Sequence, residues 1–306
     1  MAEVGSGQAK VLAVVNRKGG VGKTTTAVNL AHGLSRKLIR RVRPKDLDRI
    51  PDVDHLYQYR DRHYYVDGHV LLIDLDPQGH CSRALGVETG DADIGEVLLG
   101  RQYLSRAVVP ADRSASNLPR PNLWLLPSSD NLEDAKDNLR SRSFEYIVTG
   151  HENRDDWLLS VMRQRIGFAS DKFLFIILDC APGLDVFAHA VYQFAEAAIV
   201  PVKPDFLSMI GASRKISDIR DVQLRGIDIN IHTIVPTLCV DRQKLDREMV
   251  NELKRIHGDL VTDPIPRSQL VVEATANQKT VFEYDPLCRN PATAAYQKLV
   301  DRVYYG

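Results

Sequence analysis

Lys18-Gly19-Gly20-Val21-Gly22-Lys23-Thr24-Thr25 decides how this chain is read, because of what stands on either side of it. Val11-Leu12-Ala13-Val14-Val15 is an apolar run of strand length, and Thr25 to Leu38 has the spacing of an amphipathic helix. A glycine-rich turn joining a buried strand to a helix is built to hold phosphate. Its glycines let successive N–H groups turn inward, and the helix N-terminus adds partial positive charge at the same point. In such a loop Lys23 reaches the β- and γ-phosphates, the Thr24 hydroxyl ligates Mg²⁺, and Thr25 is placed for the α-phosphate. The expectation is a bound nucleoside triphosphate.

One position departs from the general form of the loop. Arg17 stands where a glycine is usual, five positions before Gly22, and a second lysine, Lys18, follows it. A lysine there marks the deviant version of the phosphate-binding loop.

Composition narrows the rest. With 44% hydrophobic and 26% charged residues the chain reads as an ordinary globular protein, and 306 residues can bury a substantial core. The formal net charge is zero, so any nucleic-acid contact needs a local basic patch rather than a global field. Cys81, Cys180, Cys239 and Cys288 form no C-x-x-C pair, which argues against an iron–sulfur or zinc centre and for reduced core thiols. Met1 to Lys10 lacks the apolar core of a signal peptide, and no run approaches the ~18 residues of a membrane span. The expected location is the cytoplasm.

Further along, Val70-Leu71-Leu72-Ile73-Asp74-Leu75-Asp76 and Phe173-Leu174-Phe175-Ile176-Ile177-Leu178-Asp179 are near-continuous apolar runs ending in acid. Strands buried on both faces of a parallel sheet read this way. Asn122 to Pro127, Ala197 to Val202 and Ile229 to Val235 add strands, and a short one is expected near Leu260-Val261. Helical spacing falls at Asp130 to Arg142, Trp157 to Ile166, Ser208 to Leu224, Lys244 to His257 and Ala292 to Tyr304, with short helices over 82–110. This alternation predicts an α/β fold, a mostly parallel central sheet with helices on both faces. One domain over 1–306 is the simplest account. The segment at about 38–68, with Pro44, Pro51 and mixed charge, reads as an inserted excursion of short helix and loop. Its basic and tyrosine residues leave open either a solvated insertion or a docking surface for DNA or a protein.

The strand-end acids suit the chemistry of a phosphate loop. Asp179 fits the organisation of Mg²⁺ through a water in the metal's outer shell. Asp74 and Asp76, two apart on one strand, point to the same face, and either is placed to face the γ-phosphate.

With these residues together, the chain resembles the ParA/Soj family of partition ATPases, in the ParA–MinD group of deviant phosphate-loop proteins. Lys18 to Thr25 is the deviant loop unchanged, and Ile73-Asp74-Leu75-Asp76-Pro77-Gln78-Gly79 is similar to the family's second signature. Leu178-Asp179-Cys180-Ala181-Pro182 resembles its Walker B segment. Ile265-Pro266-Arg267, Glu273-Ala274 and Tyr284-Asp285 resemble its C-terminal stretch. The resemblance implies the fold of nitrogenase iron protein and its relatives, ATP and Mg²⁺ as cofactors, and slow hydrolysis by an ATP-dependent homodimer. It implies that Lys18 reaches the partner's nucleotide, that Lys23 serves its own, that Asp76 positions or activates water, and that Asp74 supports it. Gly19, Gly20, Val21 and Gly22 complete the phosphate cradle. Base and ribose contacts are expected from Pro236-Thr237 and Pro266-Arg267.

The resemblance also implies non-specific DNA binding on the nucleoid, a ParB-like stimulating partner or cargo adaptor, and no membrane. Phosphate contacts need only a modest arginine cluster. Arg242 matches a family position, with Lys244, Arg247 and Arg267 beside it. Leu270 replaces the second arginine of the I-P-R-N-x-R pattern, a contact that Lys244, Arg247, Lys254, Arg255 or the basic start of the insertion would have to supply instead. Cargo is a plasmid or chromosome, or alternatively a protein assembly such as a microcompartment or chemoreceptor cluster. The first strand begins near Lys10, so no helix-turn-helix is expected before it. A MinD-like membrane cycle would need a basic amphipathic C-terminal helix, and Ala292 to Tyr305 carries only Lys298 and Arg302.

Overall fold

The computed structural model describes residues 8–50, 52–112, 119–149, 154–182, 188–205, 216–217, 219, 223, 229–240 and 242–306. In chain order, the first half comprises β1 (Lys10–Val14), α1 (Lys23–Lys37), β2 (Ile39–Val42), β3 (Leu56–Tyr59), β4 (Arg62–Val66) and β5 (Val70–Leu75). There follow α2 (His80–Leu85), α3 (Ile94–Leu98), α4 (Leu104–Ala107), β6 (Val109–Pro110), β7 (Leu123–Leu126) and α5 (Asn131–Val148). The second half has α6 (Arg154–Ile166), β8 (Phe175–Cys180), α7 (Ala188–Phe194), β9 (Ala197–Val202) and β10 (Asn230–Pro236). It ends with α8 (Lys244–His257), α9 (Gln269–Ala276), α10 (Val281–Tyr284) and α11 (Pro291–Tyr305).

The main sheet runs β10-β9-β1-β8-β5-β7-β6 and is parallel except for the short antiparallel edge β6. The alternation along each strand sorts its side chains between two cores. Val11, Ala13, Leu71, Ile73, Ile176 and Leu178 face α3, α5 and α6. Leu12, Val14, Leu72, Phe175 and Ile177 face α1 and α11. Because both faces are covered, the strands have no polar side and appear in sequence as unbroken apolar runs.

Helix α1 packs against the last helix through Gly33. A Cβ there would lie 2.2 Å from Val300 Cγ2 and 2.9 Å from Phe282. Tyr296, Leu299, Val300 and Val303 are buried on the same core, so the apolar face of α11 is occupied by the protein's own first helix.

Three expectations are corrected. The inserted segment is not a helix-and-loop excursion; it forms a three-stranded antiparallel sheet, β2-β4-β3, with 3₁₀ turns at Pro44–Arg49 and Val53–His55. Leu260-Val261 gives a single parallel bridge from Val261 to Ile234 rather than a strand, following a 3₁₀ turn over Gly258–Leu260. Helix α5 continues six residues beyond Arg142, to Val148. The helix expected over Ser208 to Leu224 falls largely outside the described residues, of which 216, 217, 219 and 223 are helical.

Candidate nucleotide site

Three neighbouring strands deliver the site at their carboxyl ends, where parallel sheets bind ligands. The loop leaves β1, and Asp179 and Asp74 sit on β8 and β5, directly paired in register. Each shares the parity of the residues that face α1, so both carboxylates lie beneath the start of that helix.

The loop is held from both flanks. Asn16 Nδ2 donates to the Pro201 carbonyl at 2.7 Å, and Asn16 Oδ1 accepts from the Lys18 N–H at 3.0 Å. Thr237 Oγ1 donates to the Val21 carbonyl at 2.7 Å. Gly22 caps α1 with φ +81°, a conformation for which glycine carries no steric cost, and Gly20 has φ +72°. The two lysines diverge. Lys23 Nζ donates to the Lys18 carbonyl at 3.1 Å, inside the loop, whereas Lys18 Nζ reaches out to Asp205 Oδ1 at 2.8 Å.

Beneath the loop the electrostatics are those of crowded buried acids. Burial, followed by the neighbouring Asp74, pushes the Asp179 carboxyl above its usual range, while Thr24, Cys81 and Lys23 oppose that rise. Asp74 is also raised by burial, against the backbone N–H groups that it accepts. Desolvation lowers the Lys23 ammonium, and the nearby Asp179 and Asp76 counter this. Asp179 Oδ1 is buried without a hydrogen bond. An orphaned carboxylate oxygen beside the Thr24 hydroxyl is a donor set suited to a hard divalent cation.

Asp74 does more structural work than a supporting position at the γ-phosphate. Its Oδ1 accepts the Asp76 N–H and its Oδ2 the Cys81 N–H, both at 3.0 Å, which fixes the turn into α2. Gly79 takes φ +59° in that turn, where a Cβ would lie 2.6 Å from the Ser128 carbonyl oxygen. Asp76, half-buried, accepts the Gln78 N–H at 3.1 Å.

A cleft of about 910 Å³ opens beside the loop, lined by Gly22 and Thr25 and walled by Thr237, Pro266, Arg267 and Tyr296 among others. Pro236 stands just behind that wall, where its carbonyl accepts the Ile265 N–H at 2.8 Å. The two late segments form one surface because Cys239 N–H donates to the Ile265 carbonyl and Arg267 N–H to the Cys239 carbonyl. Asn16, Asp205, Lys203 and the Val271–Val272 side of the cleft were not singled out from sequence. The signal for Lys203 and Asp205 was their place after the carboxyl end of β9.

Arg242, Lys244, Arg247 and Arg267 are all exposed. Lys244 pairs with Glu248 at 3.5 Å, Lys254 with Asp263 at 3.8 Å and Arg255 with Glu252 at 2.7 Å. Much of the positive charge on α8 is therefore balanced locally, and of the residues expected to stand in for the arginine missing at Leu270, Lys244, Lys254 and Arg255 are already engaged.

Sheet order, loop and strand-end acids define a phosphate-loop ATPase of α/β architecture. A family model described as an AAA domain matches residues 9–51 and 65–233, leaving out 52–64, which hold β3 and most of β4. The chromosome partitioning protein ParA of Caulobacter vibrioides is 28% identical over 300 residues, spanning 96% of this chain and 93% of that protein. The sporulation initiation inhibitor protein Soj of Bacillus subtilis is 26% identical over 285 residues, spanning 92% and 93%. Among solved structures, cobyrinic acid a,c-diamide synthase from Mycobacterium smegmatis with bound ATP analogue and magnesium has a TM-score of 0.66. It is 24% identical, and the match covers 97% of this chain and 94% of that one. The chain belongs to this AAA domain family and is a partition ATPase of the ParA/Soj type. Among the described residues no helix is long and apolar enough to cross a membrane.

Proposed function

We propose that this ATPase works as an ATP-dependent dimerisation switch that binds DNA without sequence preference and positions a DNA or protein cargo. One observation carries the reading. Lys23 turns inward to its own loop while Lys18, only five residues earlier, extends to the rim at Asp205. A loop lysine directed away from its own phosphate cradle is suited to the nucleotide of a second copy.

ATP and Mg²⁺ are the cofactors of this site. The N–H groups of 19–24 and Lys23 hold the phosphates, and the cleft wall of Thr237, Pro266 and Arg267 takes the base and ribose. Mg²⁺, when bound, spreads the charge that develops on the transferred phosphoryl group. Thr24 supplies a direct oxygen donor and Asp179 an acceptor for a metal-bound water. Asp76, half-exposed at the end of β5, orients the attacking water. A ParB-like partner or a cargo adaptor accelerates this slow step. Arg242, Lys244, Arg247 and Arg267 contact DNA phosphates, which is enough for binding without base readout.

Co-sedimentation with random-sequence DNA, with ADP, ATP or a slowly hydrolysed analogue, tests this. Retention is expected only with triphosphate, and neither Lys18→Ala nor Lys23→Ala retains DNA. Equal retention in every nucleotide state would contradict the switch.

A further inference from the structure

Cys81 departs from the role of an inert core thiol. Asp74, Cys81 and Asp179 each offer one ligand atom, and these atoms all lie within 4.8 Å of one another. All three residues are buried, at 0%, 0% and 1% exposure. Cys81 Sγ donates to Asp179 Oδ2 at 3.4 Å, while Asp179 Oδ1 carries no hydrogen bond. Asp74 is oriented by the N–H groups of Asp76 and Cys81, and each of its oxygens keeps a further lone pair.

Magnesium favours an all-oxygen octahedron and gives up its waters reluctantly. A thiol between two carboxylates is a different donor set. Sulfur at about 2.3 Å and oxygens at about 2.0–2.2 Å are the distances of tetrahedral zinc, with water in the remaining position. The N–H groups fixing Asp74 are the kind of outer partners that orient metal ligands. We propose that Asp74, Cys81 and Asp179 form a site for a thiophilic divalent cation of the zinc class, distinct in preference from the magnesium served by Thr24. On binding, the Cys81 thiol proton is released to solvent and the sulfur ligates as thiolate. The cation enters from the nucleotide side, where Thr24 is half-buried and Asp179 lies beneath it.

A cation held there takes the Asp179 carboxylate directly and removes it from the magnesium water, which inhibits hydrolysis. That consequence rests on the ATPase reading; the binding does not. Cys180 is the natural control. It follows Asp179 on β8, so its side chain leaves the opposite face of the strand, and its Sγ donates to the Leu178 carbonyl at 3.8 Å.

The test is titration of the nucleotide-free protein with Cd²⁺, followed by ultraviolet thiolate-to-cadmium absorption, and with Zn²⁺ against a chromophoric chelator. Wild type and Cys180→Ser are expected to take up one cation per chain with the absorption band. Cys81→Ser and Cys81→Ala, each checked for cooperative thermal unfolding, are expected to lose the band and bind at least tenfold more weakly. A band that persists in both Cys81 variants, or that disappears in Cys180→Ser, would overturn the site. Tight Zn²⁺ binding that leaves hydrolysis unchanged would instead overturn the role assigned to Asp179.

Discussion

Lys18 Nζ lies 2.8 Å from Asp205 Oδ1, and the other oxygen of the same carboxylate lies 3.4 Å from Lys203 Nζ. The lysine assigned to a second copy's nucleotide is therefore engaged within its own chain. It has to exchange a carboxylate for a phosphate when two copies meet. Both side chains of the pair are about one-third exposed, so the contact is worth at most ~1 kcal/mol, about fivefold in an equilibrium constant.

Replacing Asp205 by Asn is expected to tighten the ATP-dependent dimer by up to about thirtyfold, because a symmetric dimer breaks the pair once in each copy. The dissociation constant from sedimentation equilibrium measures it. A weaker dimer would show that Asp205 serves the assembled state instead.

Gly33→Ala is expected to destabilise the fold although alanine is the better helix former. The propensity gain of about 1 kcal/mol is opposed by a Cβ within 2.2 Å of Val300 and 2.9 Å of Phe282. Overpacking of that kind costs about 1–3 kcal/mol before relaxation. Urea denaturation at constant slope reads the balance, and an increase in stability would mean that α11 is free to shift.

Asp74 and Asp179, buried side by side and both held above the usual carboxylate range by burial, give a pH prediction with a definite sign. The unfolded carboxyls titrate near ~4, so from there up to the raised native range the native pair holds the extra proton. Its contribution therefore falls as pH rises through that window. Nucleotide-free Asp179→Asn, which lacks this titration, is expected to gain stability relative to wild type between pH 5 and pH 8. The gain should be about 1 kcal/mol or more, since one pKa unit corresponds to about 1.4 kcal/mol. A difference that stays flat with pH would mean that the carboxylate is ionised throughout.

What could be read from the sequence follows from where polarity is forced. Strands β5 and β8 are covered on both faces, so they show as apolar runs, and their terminal acids stand out by contrast. The inserted sheet gave no such contrast. Its rows pair Arg40 with Tyr65 and Arg41 with Tyr64, and the Arg40 guanidinium stacks 4.4 Å above the Tyr65 ring. Such strands are held by cross-strand contacts and by the Tyr57 hydroxyl, which donates to Asp112, rather than by an apolar face. Thr237 and Arg267 were reached through family resemblance. The backbone pairing of Cys239 with 265–267 that joins their segments has no mark in local sequence. Asn16 with Pro201 and Lys18 with Asp205 are likewise contacts between distant parts of the chain. Cys81 looked inert because nothing in its neighbourhood shows that Asp179 will lie beside it.

The most direct measurement is the mass in solution, by light scattering, of wild type and Lys18→Ala with Mg²⁺ and a slowly hydrolysed ATP analogue. Wild type is expected at twice the monomer mass with the analogue and at the monomer mass with ADP. Lys18→Ala should bind the analogue yet remain monomeric. A Lys18→Ala protein that dimerises as wild type does, or a wild type that stays monomeric with the analogue bound, would contradict the account.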